Sequence, residues 1–199
     1  MLLQPIFCNF LAIEKLNLNT EIIQEYCYDE MRYDPTGVVF SNYGGWQSKK
    51  ITGKEIPNCI SILFNKINEK LNELKNTLSL KQEFYPVVSD AWININKKNN
   101  FNYSHSHLEC TLSGAYYINY PDNGGKIIFK NPIAQFPYVF APSIFENYNI
   151  FNSPEWNIQP ESNMLLIFPS WLEHYVEPNE SEEDRISIAF NSCLKNTNV

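Results

Sequence analysis

A chain of 199 residues that is 44% hydrophobic, 15% aromatic and 19% charged has the composition of a globular protein. It has the length of one domain, enough to bury roughly 70% of the surface its unfolded form exposes. A formal net charge of −7, with no basic cluster beyond Lys49-Lys50 and Lys97-Lys98, argues against a phosphate backbone as the main partner, so no nucleic acid is expected.

No run reaches the roughly 20 apolar residues that span a bilayer. The five cysteines, at 8, 27, 59, 110 and 193, form no close pairs and leave one over in any disulfide scheme. Buried thiols in a reducing cytoplasm, away from membranes, are expected. Met1–Ile13 is apolar, lacks a basic leader and is interrupted by Pro5 and Asn9, which reads as an opening strand. Asn19 or Thr20 is then placed to cap a helix over 21–31, with Ile22, Ile23, Tyr26 and Cys27 on one side. Pro35-Thr36-Gly37 breaks it, Val38–Phe40 is a short strand candidate, and 42–48, with Gly44-Gly45, reads as a glycine-rich loop.

The spacing of Ile56, Cys59, Ile60, Leu63, Phe64, Ile67, Leu71, Leu74 and Leu78 predicts a helix over 56–80 lying with one side on a sheet, with Pro57 in its first turn. From Phe84 the pattern changes to strands over 87–96, 112–120, 126–130, 164–168, 175–177 and 185–194. Strands in succession without intervening helices predict a mainly antiparallel sheet, sandwich or barrel. Residues 131–160 carry Phe136, Tyr138, Phe140, Phe145, Tyr148, Phe151 and Trp156 among prolines without a period. Such a segment reads as a lid over a pocket or as packing on the outside of a barrel. Trp171 is expected in the core, and Cys110 as a buried filler.

The chain has only three histidines. His105 and His107 stand one residue apart, so an extended backbone points them the same way, and His174 follows a later strand-like run; the three form a candidate metal site. Farther on, 185–191 alternates as a strand, with Ile186, Ile188 and Phe190 on one face and Arg185, Ser187 and Asn191 on the other. A guanidinium fork beside a hydroxyl suits an anion, above all a carboxylate.

The order of these parts resembles a known family. Trp92–Asn96, His105-Ser-His107, Ser113–Tyr117, Phe168–His174 and Arg185–Asn191 look like the Fe(II)- and 2-oxoglutarate-dependent dioxygenases, and within them the oxygenase subfamily common among bacterial and phage proteins. The match spans roughly 85–194, and the Gly44-Gly-Trp-Gln-Ser48 loop extends it. The resemblance implies a double-stranded β-helix (jelly-roll, cupin-like) core over 85–199, with the strand and helices of 1–84 buttressing its larger sheet, all within a single domain. It implies Fe(II), 2-oxoglutarate and O2 as cofactor and co-substrates, with decarboxylation to succinate and CO2 and hydroxylation of a peptide side chain or small metabolite. The location implied is the cytoplasm, that of the host if the gene is a phage's.

By motif match, His105, His107 and His174 would bind iron. Arg185 would hold the distal carboxylate of 2-oxoglutarate, with Ser187 beside it and Tyr117, or Tyr116 in the other register, reaching it; Asn94 and Asn191 complete the expected pocket wall. The wider superfamily carries His-x-Asp or His-x-Glu, so the overlapping set His107, Glu109 and His174 is the alternative triad. Two other functions stay open on the sequence: a cupin-type metalloenzyme that does not use 2-oxoglutarate, and a non-catalytic jelly-roll binding module. Oligomeric state is not indicated.

Overall fold

The computed structural model describes residues 1–2, 4–51, 56–133 and 142–198. Its two helices follow the apolar periodicity. Helix α1 (Thr20–Tyr33) begins where the Asn19 side chain accepts the Glu21 N–H at 3.1 Å, and it buries Ile23 and Cys27. Helix α2 (Asn58–Thr77) starts after Pro57 and buries Ile60, Leu63, Ile67 and Leu71, the i, i+3, i+4 stripe expected of it. Both helices lean on one face of a sheet, where they share a core with Ala91, Ile93, Ile95, Ile186, Ile188 and Phe190.

The strands are β1 (Ala12–Lys15), β2 (Asn42–Tyr43), β3 (Trp46–Gln47), β4 (Phe84–Asn96), β5 (Phe101–His105), β6 (Leu112–Asn119), β7 (Ile127–Lys130), β8 (Glu155–Ile158), β9 (Met164–Pro169), β10 (His174–Val176) and β11 (Arg185–Asn196). They form a six-stranded sheet in the order β1-β9-β6-β11-β4-β3 and a five-stranded sheet in the order β2-β5-β10-β7-β8. Every pairing is antiparallel. A second core joins Tyr117, Leu166 and Phe168 of the larger sheet to Ile127 and Phe129 of the smaller. The two sheets therefore face each other across a shared interior, the jelly-roll arrangement expected, with both helices on the outer face of the larger sheet.

Several local expectations change. The apolar N-terminus is not a strand from its first residue; pairing begins at Ala12, against β9. Val38–Phe40 is not a strand either, and Val39 and Phe40 are each 79% exposed. The glycine-rich loop instead carries the pairing, since β2 joins the smaller sheet and β3 the larger, so Gly44-Gly45 steps between them. In the aromatic segment, β8 is an edge strand whose first three residues are all exposed, which erases the alternation that would have revealed it. Phe136, Tyr138 and Phe140 lie outside the described residues. Trp171 is 54% exposed while its neighbour Leu172 takes the core position. No described helix is long and apolar enough to cross a membrane, and the five cysteines are free thiols.

One residue of β4 breaks the regular ladder. Asn191 faces Asp90 but Ser192 faces Val88, so Ser89 is the extra residue of a β-bulge. Val88 is thereby turned back toward the helices, where its N–H reaches the Asn68 side chain at 2.9 Å.

Gly114 on β6 marks the tightest approach in the larger sheet. A Cβ there would stand 2.3 Å from both the Leu166 carbonyl oxygen and the Phe190 ring. Gly114→Ala is expected to cost about 1–3 kcal/mol through overpacking, which thermal unfolding should register as a fall of roughly 2–12 °C in Tm. An unchanged Tm would mean that the β6–β9 pairing relaxes freely.

Candidate active site

The register of the smaller sheet sets His174 directly opposite His105, and their ring centroids are 4.4 Å apart. Strand β5 ends at His105, so His107 belongs to the following turn, not to the extended segment that alternation assumed. There its backbone N–H bonds the Ser170 carbonyl at 2.8 Å. Its ring lies parallel to that of His174, 5.5 Å between centroids, and stacks on Trp92 at 5.7 Å. One ligating atom from each histidine lies within 4.8 Å of the others. Glu109, from the alternative triad, is exposed in the same turn and outside this cluster.

The hydrogen bonds of the rings decide which nitrogens are free. His105 Nδ1 is 2.7 Å from the Tyr103 carbonyl and His174 Nδ1 is 2.9 Å from the Leu172 carbonyl. A carbonyl only accepts, so both Nδ1 atoms carry the proton and both Nε2 lone pairs are left for a ligand. The His107 ring interacts with the Asn191 side chain, which lines the outer cavity beside it. Burial holds His174 down to about 3 and His107 down to about 4, helped in each case by the neighbouring His105, and burial also lowers His105. All three imidazoles are therefore neutral at pH 7. Three converging neutral imidazole nitrogens fit a divalent first-row metal, iron(II) included.

Behind the histidines, the inner face of the larger sheet presents its residues in cross-strand rows. Arg185 pairs with Asn96; Ser187 stands between Asn94 and Tyr117; Ala189 stands between Trp92 and Ala115; Asn191 stands between Asp90 and Ser113. The first three rows line a narrow inner cavity together with His105, His107 and His174.

Arg185 is 2% exposed and makes no ion pair among the described residues. Its Nη1 donates to the carbonyls of Gly124 and Glu177 (2.9 Å to the latter), whereas Nη2 is buried without a partner. Gly125, at φ +80°, makes this possible, because a Cβ there would sit 2.9 Å from Nη1 and 2.5 Å from the Pro178 carbonyl. Burial lowers the guanidinium's pKa, opposed by Tyr117, Tyr120 and Glu177. Burial likewise pushes the Tyr117 hydroxyl far above the usual phenol range, so it remains a neutral donor. A buried cation costs several kcal/mol unless it is paired. The unpartnered Nη2 of Arg185 marks the inner cavity as a place for an anionic guest, while the unpartnered Oδ1 of Asn94 calls for a donor there. A carboxylate meets the chemistry of the fork.

Of the expected residues, Ser187, Tyr117 and Asn94 therefore gather with Arg185 around the inner cavity. Tyr116 faces the helices, where its hydroxyl donates to Asn163 Oδ1 at 2.6 Å. Asn191 instead lines an outer cavity of about 640 Å³. The two cavities share Ser41, Trp92, His105 and His107, so they meet at the histidine cluster. The outer one is walled by Val38, Phe40, Trp92 and Tyr103, with Lys49, Lys50 and Asp90 as charged members. Asp90 and the stacking role of Trp92 were not assigned from sequence. Alternation backward from Asn94 through Trp92 places Asp90 on the inner face, a signal that was present.

A family model described as "Putative 2OG-Fe(II) oxygenase" matches residues 90–191, just over half of the chain. No curated protein matches the sequence. Among solved structures, a Pseudomonas putida prolyl-4-hydroxylase superposes over 92% of both chains with a TM-score of 0.59 at 14% identity. The non-heme alpha ketoglutarate dependent carbocyclase SnoK from nogalamycin biosynthesis gives a TM-score of 0.64 at 10% identity, over 92% of this chain and 78% of that one. A prolyl hydroxylase from Trichoplax adhaerens, in complex with a hypoxia inducible factor oxygen degradation domain peptide fragment, gives 0.63 at 15% identity, over 92% and 83%. At these identities the likeness establishes the fold, the double-stranded β-helix.

Proposed function

Since the chain belongs to the 2OG-Fe(II) oxygenases, oxidoreductases that work with Fe(II), 2-oxoglutarate and O2, we propose that His105, His107 and His174 hold the iron and that Arg185 holds the distal carboxylate of 2-oxoglutarate. The prime substrate on this reading is a peptide side chain that enters through the outer cavity. The observation that carries the site assignment is the pairing of three neutral, converging imidazoles with a buried guanidinium that keeps its Nη2 unpartnered.

When bound, iron with O2 and 2-oxoglutarate supplies the oxidising power, the co-substrate leaving as succinate and CO2 while one oxygen atom enters a substrate C–H bond. The chain's own residues orient and seclude. Tyr103 and Leu172 carbonyls fix two imidazoles with Nε2 forward. Arg185 offers its free N–H to the far carboxylate, Tyr117 and Ser187 stand beside it on the same wall, and Asn94 completes the row. Ile127 and Val176 of the smaller sheet close the cavity from the opposite side, which keeps water from the guanidinium and strengthens its grip on an anion.

The peptide reading rests on the size and texture of the outer cavity. At about 640 Å³ it exceeds what one amino acid fills. The exposed aromatics Phe40 and Tyr103 stand on its wall, with Val39 and Tyr43 exposed alongside, a surface that suits an apolar chain more than a compact polar metabolite. The prolyl hydroxylases among the structural neighbours lend this reading support.

The deciding experiment is an anaerobic titration of metal-free protein with Fe(II) and then 2-oxoglutarate, followed through the visible charge-transfer band of a chelated keto acid. A band at one iron per chain is expected. Iron bound without a band would sink the 2-oxoglutarate assignment. For the substrate, a peptide library scored by mass for gain of one oxygen atom should yield hits whose KM rises about tenfold in Phe40→Ala with kcat nearly unchanged, the effect of losing roughly 1.4 kcal/mol of uniform binding. Equal turnover in Phe40→Ala at every peptide concentration would move substrate entry elsewhere.

A further inference from the structure

The row Asp90–Asn191–Ser113 is the one polar row of the inner sheet face that the co-substrate does not explain. It crosses three strands, β4, β11 and β6, in direct register, and it lies beneath His107, not beneath Arg185. Asn191 Nδ2 donates to Asp90 Oδ1 at 3.0 Å, and Ser113 Oγ donates to Asn191 Oδ1 at 2.8 Å. The same Asn191 side chain interacts with the His107 ring, and the two line one cavity wall.

A carboxylate only accepts, so Asp90 forces the NH2 end of the Asn191 amide toward itself. The carbonyl end then accepts from Ser113 and is the end left to accept an N–H from His107, which would turn the other imidazole nitrogen toward His105 and His174. The second oxygen of Asp90 is held from the opposite side by Lys50, at 3.4 Å, and by Ser89 Oγ at 3.4 Å. The bulge at Ser89 belongs to this device. It lets Asp90 stand opposite Asn191 while Val88, two residues back, returns to the helix side.

His105 and His174 are fixed by main-chain carbonyls, which cannot turn end over end. The side chain beside the His107 ring is an amide, which can. We infer that Asp90, acting through Asn191, is the positioning residue for His107 as a metal ligand: the carboxylate locks the amide, and the amide locks the imidazole. The arrangement also places one negative charge two hydrogen bonds from a site whose three protein ligands bring none. This inference rests on the metal site proposed above.

A Co(II) titration of the metal-free chain, read in the visible d–d spectrum, tests it without turnover. Asp90→Asn is nearly isosteric, yet it leaves the Asn191 amide free to sit either way round. It should raise the Co(II) Kd about 10–100-fold, the usual effect of losing a ligand's outer partner, and alter the spectrum at saturation. Asn191→Ala interrupts the same chain at its middle and should cause a comparable loss. The double variant should bind no worse than Asn191→Ala alone.

Wild-type Kd and spectrum in Asp90→Asn would overturn the inference, as would losses that multiply in the double variant, since Asp90 would then act by its charge directly. A wild-type chain that gives no saturable Co(II) spectrum would overturn the metal site itself and the inference with it. A normal wild-type spectrum beside unaffected variants overturns the inference alone.

Discussion

Arg185→Ala is expected to raise the Kd of the metal-loaded protein for 2-oxoglutarate by roughly 10²–10³-fold, about 3–4 kcal/mol. The size follows from where the guanidinium sits. It is 2% exposed, its Nη1 is spent on the Gly124 and Glu177 carbonyls, and no carboxylate of the described chain forms an ion pair with it. The distal carboxylate of 2-oxoglutarate would therefore meet a cation already stripped of water and already aimed, the condition in which an ion pair contributes most. Arg185→Lys should fall between, because an ammonium replaces the charge but not the planar fork.

Calorimetric titration with Mn(II) as a redox-silent metal reads the affinities, and thermal unfolding supplies an independent check. Saturating 2-oxoglutarate at 100 times its Kd should stabilise the wild type by about 2.7 kcal/mol and the alanine variant hardly at all. An unchanged Kd in Arg185→Ala would reduce this residue to a pin for the Gly124-Gly125 turn.

What the sequence made legible, and what it hid, divides along the range of the interactions. Periodicity located α2 and β11 because each buries one continuous face: Leu63, Ile67 and Leu71 on the helix, and Ile186, Ile188 and Phe190 on the strand. The same alternation put Arg185 and Ser187 on the cavity side before any fold was known. Periodicity fails where burial does. The exposed edge strand β8 carries no pattern, and the two-residue strands β2 and β3 are too short to carry one.

It fails again at the bulge, where one inserted residue, Ser89, reverses the inward and outward sense of β4. Which tyrosine of the Tyr116-Tyr117 pair lines the cavity depends on register between β6 and β11, a long-range property. Its answer came only with Ser187 placed beside Tyr117. The position of His107 is of the same kind. It owes its place to a main-chain bond with Ser170 and to the rings of Trp92 and His174 on which its own ring stacks, Ser170 and His174 being far away in sequence.

His174→Ala is expected to weaken Fe(II) or Co(II) binding by at least about 10³-fold, some 4 kcal/mol, and to reduce turnover to background. His174 is the member of the cluster that touches both partners, with ring centroids 4.4 Å from His105 and 5.5 Å from His107, and burial keeps it unprotonated far below neutral pH. Its loss leaves two nitrogens where three converged.

The more discriminating comparison sets His105→Ala against Glu109→Gln. If the metal rests on three histidines, the first variant should lose metal as His174→Ala does, and the second should bind within about twofold of wild type, since an exposed carboxylate outside the cluster has little to give. The reverse outcome would place the ion on His107, Glu109 and His174. It would require the turn after β5 to swing Glu109 inward against the His107–Ser170 and Cys110–His107 main-chain bonds that now hold it. With three imidazoles the metal keeps its full double charge, so a dianionic co-substrate should bind more tightly than at a site already carrying a carboxylate. Measured 2-oxoglutarate affinity in His107→Asp, which introduces that carboxylate at the same position, should accordingly fall even where the metal is retained.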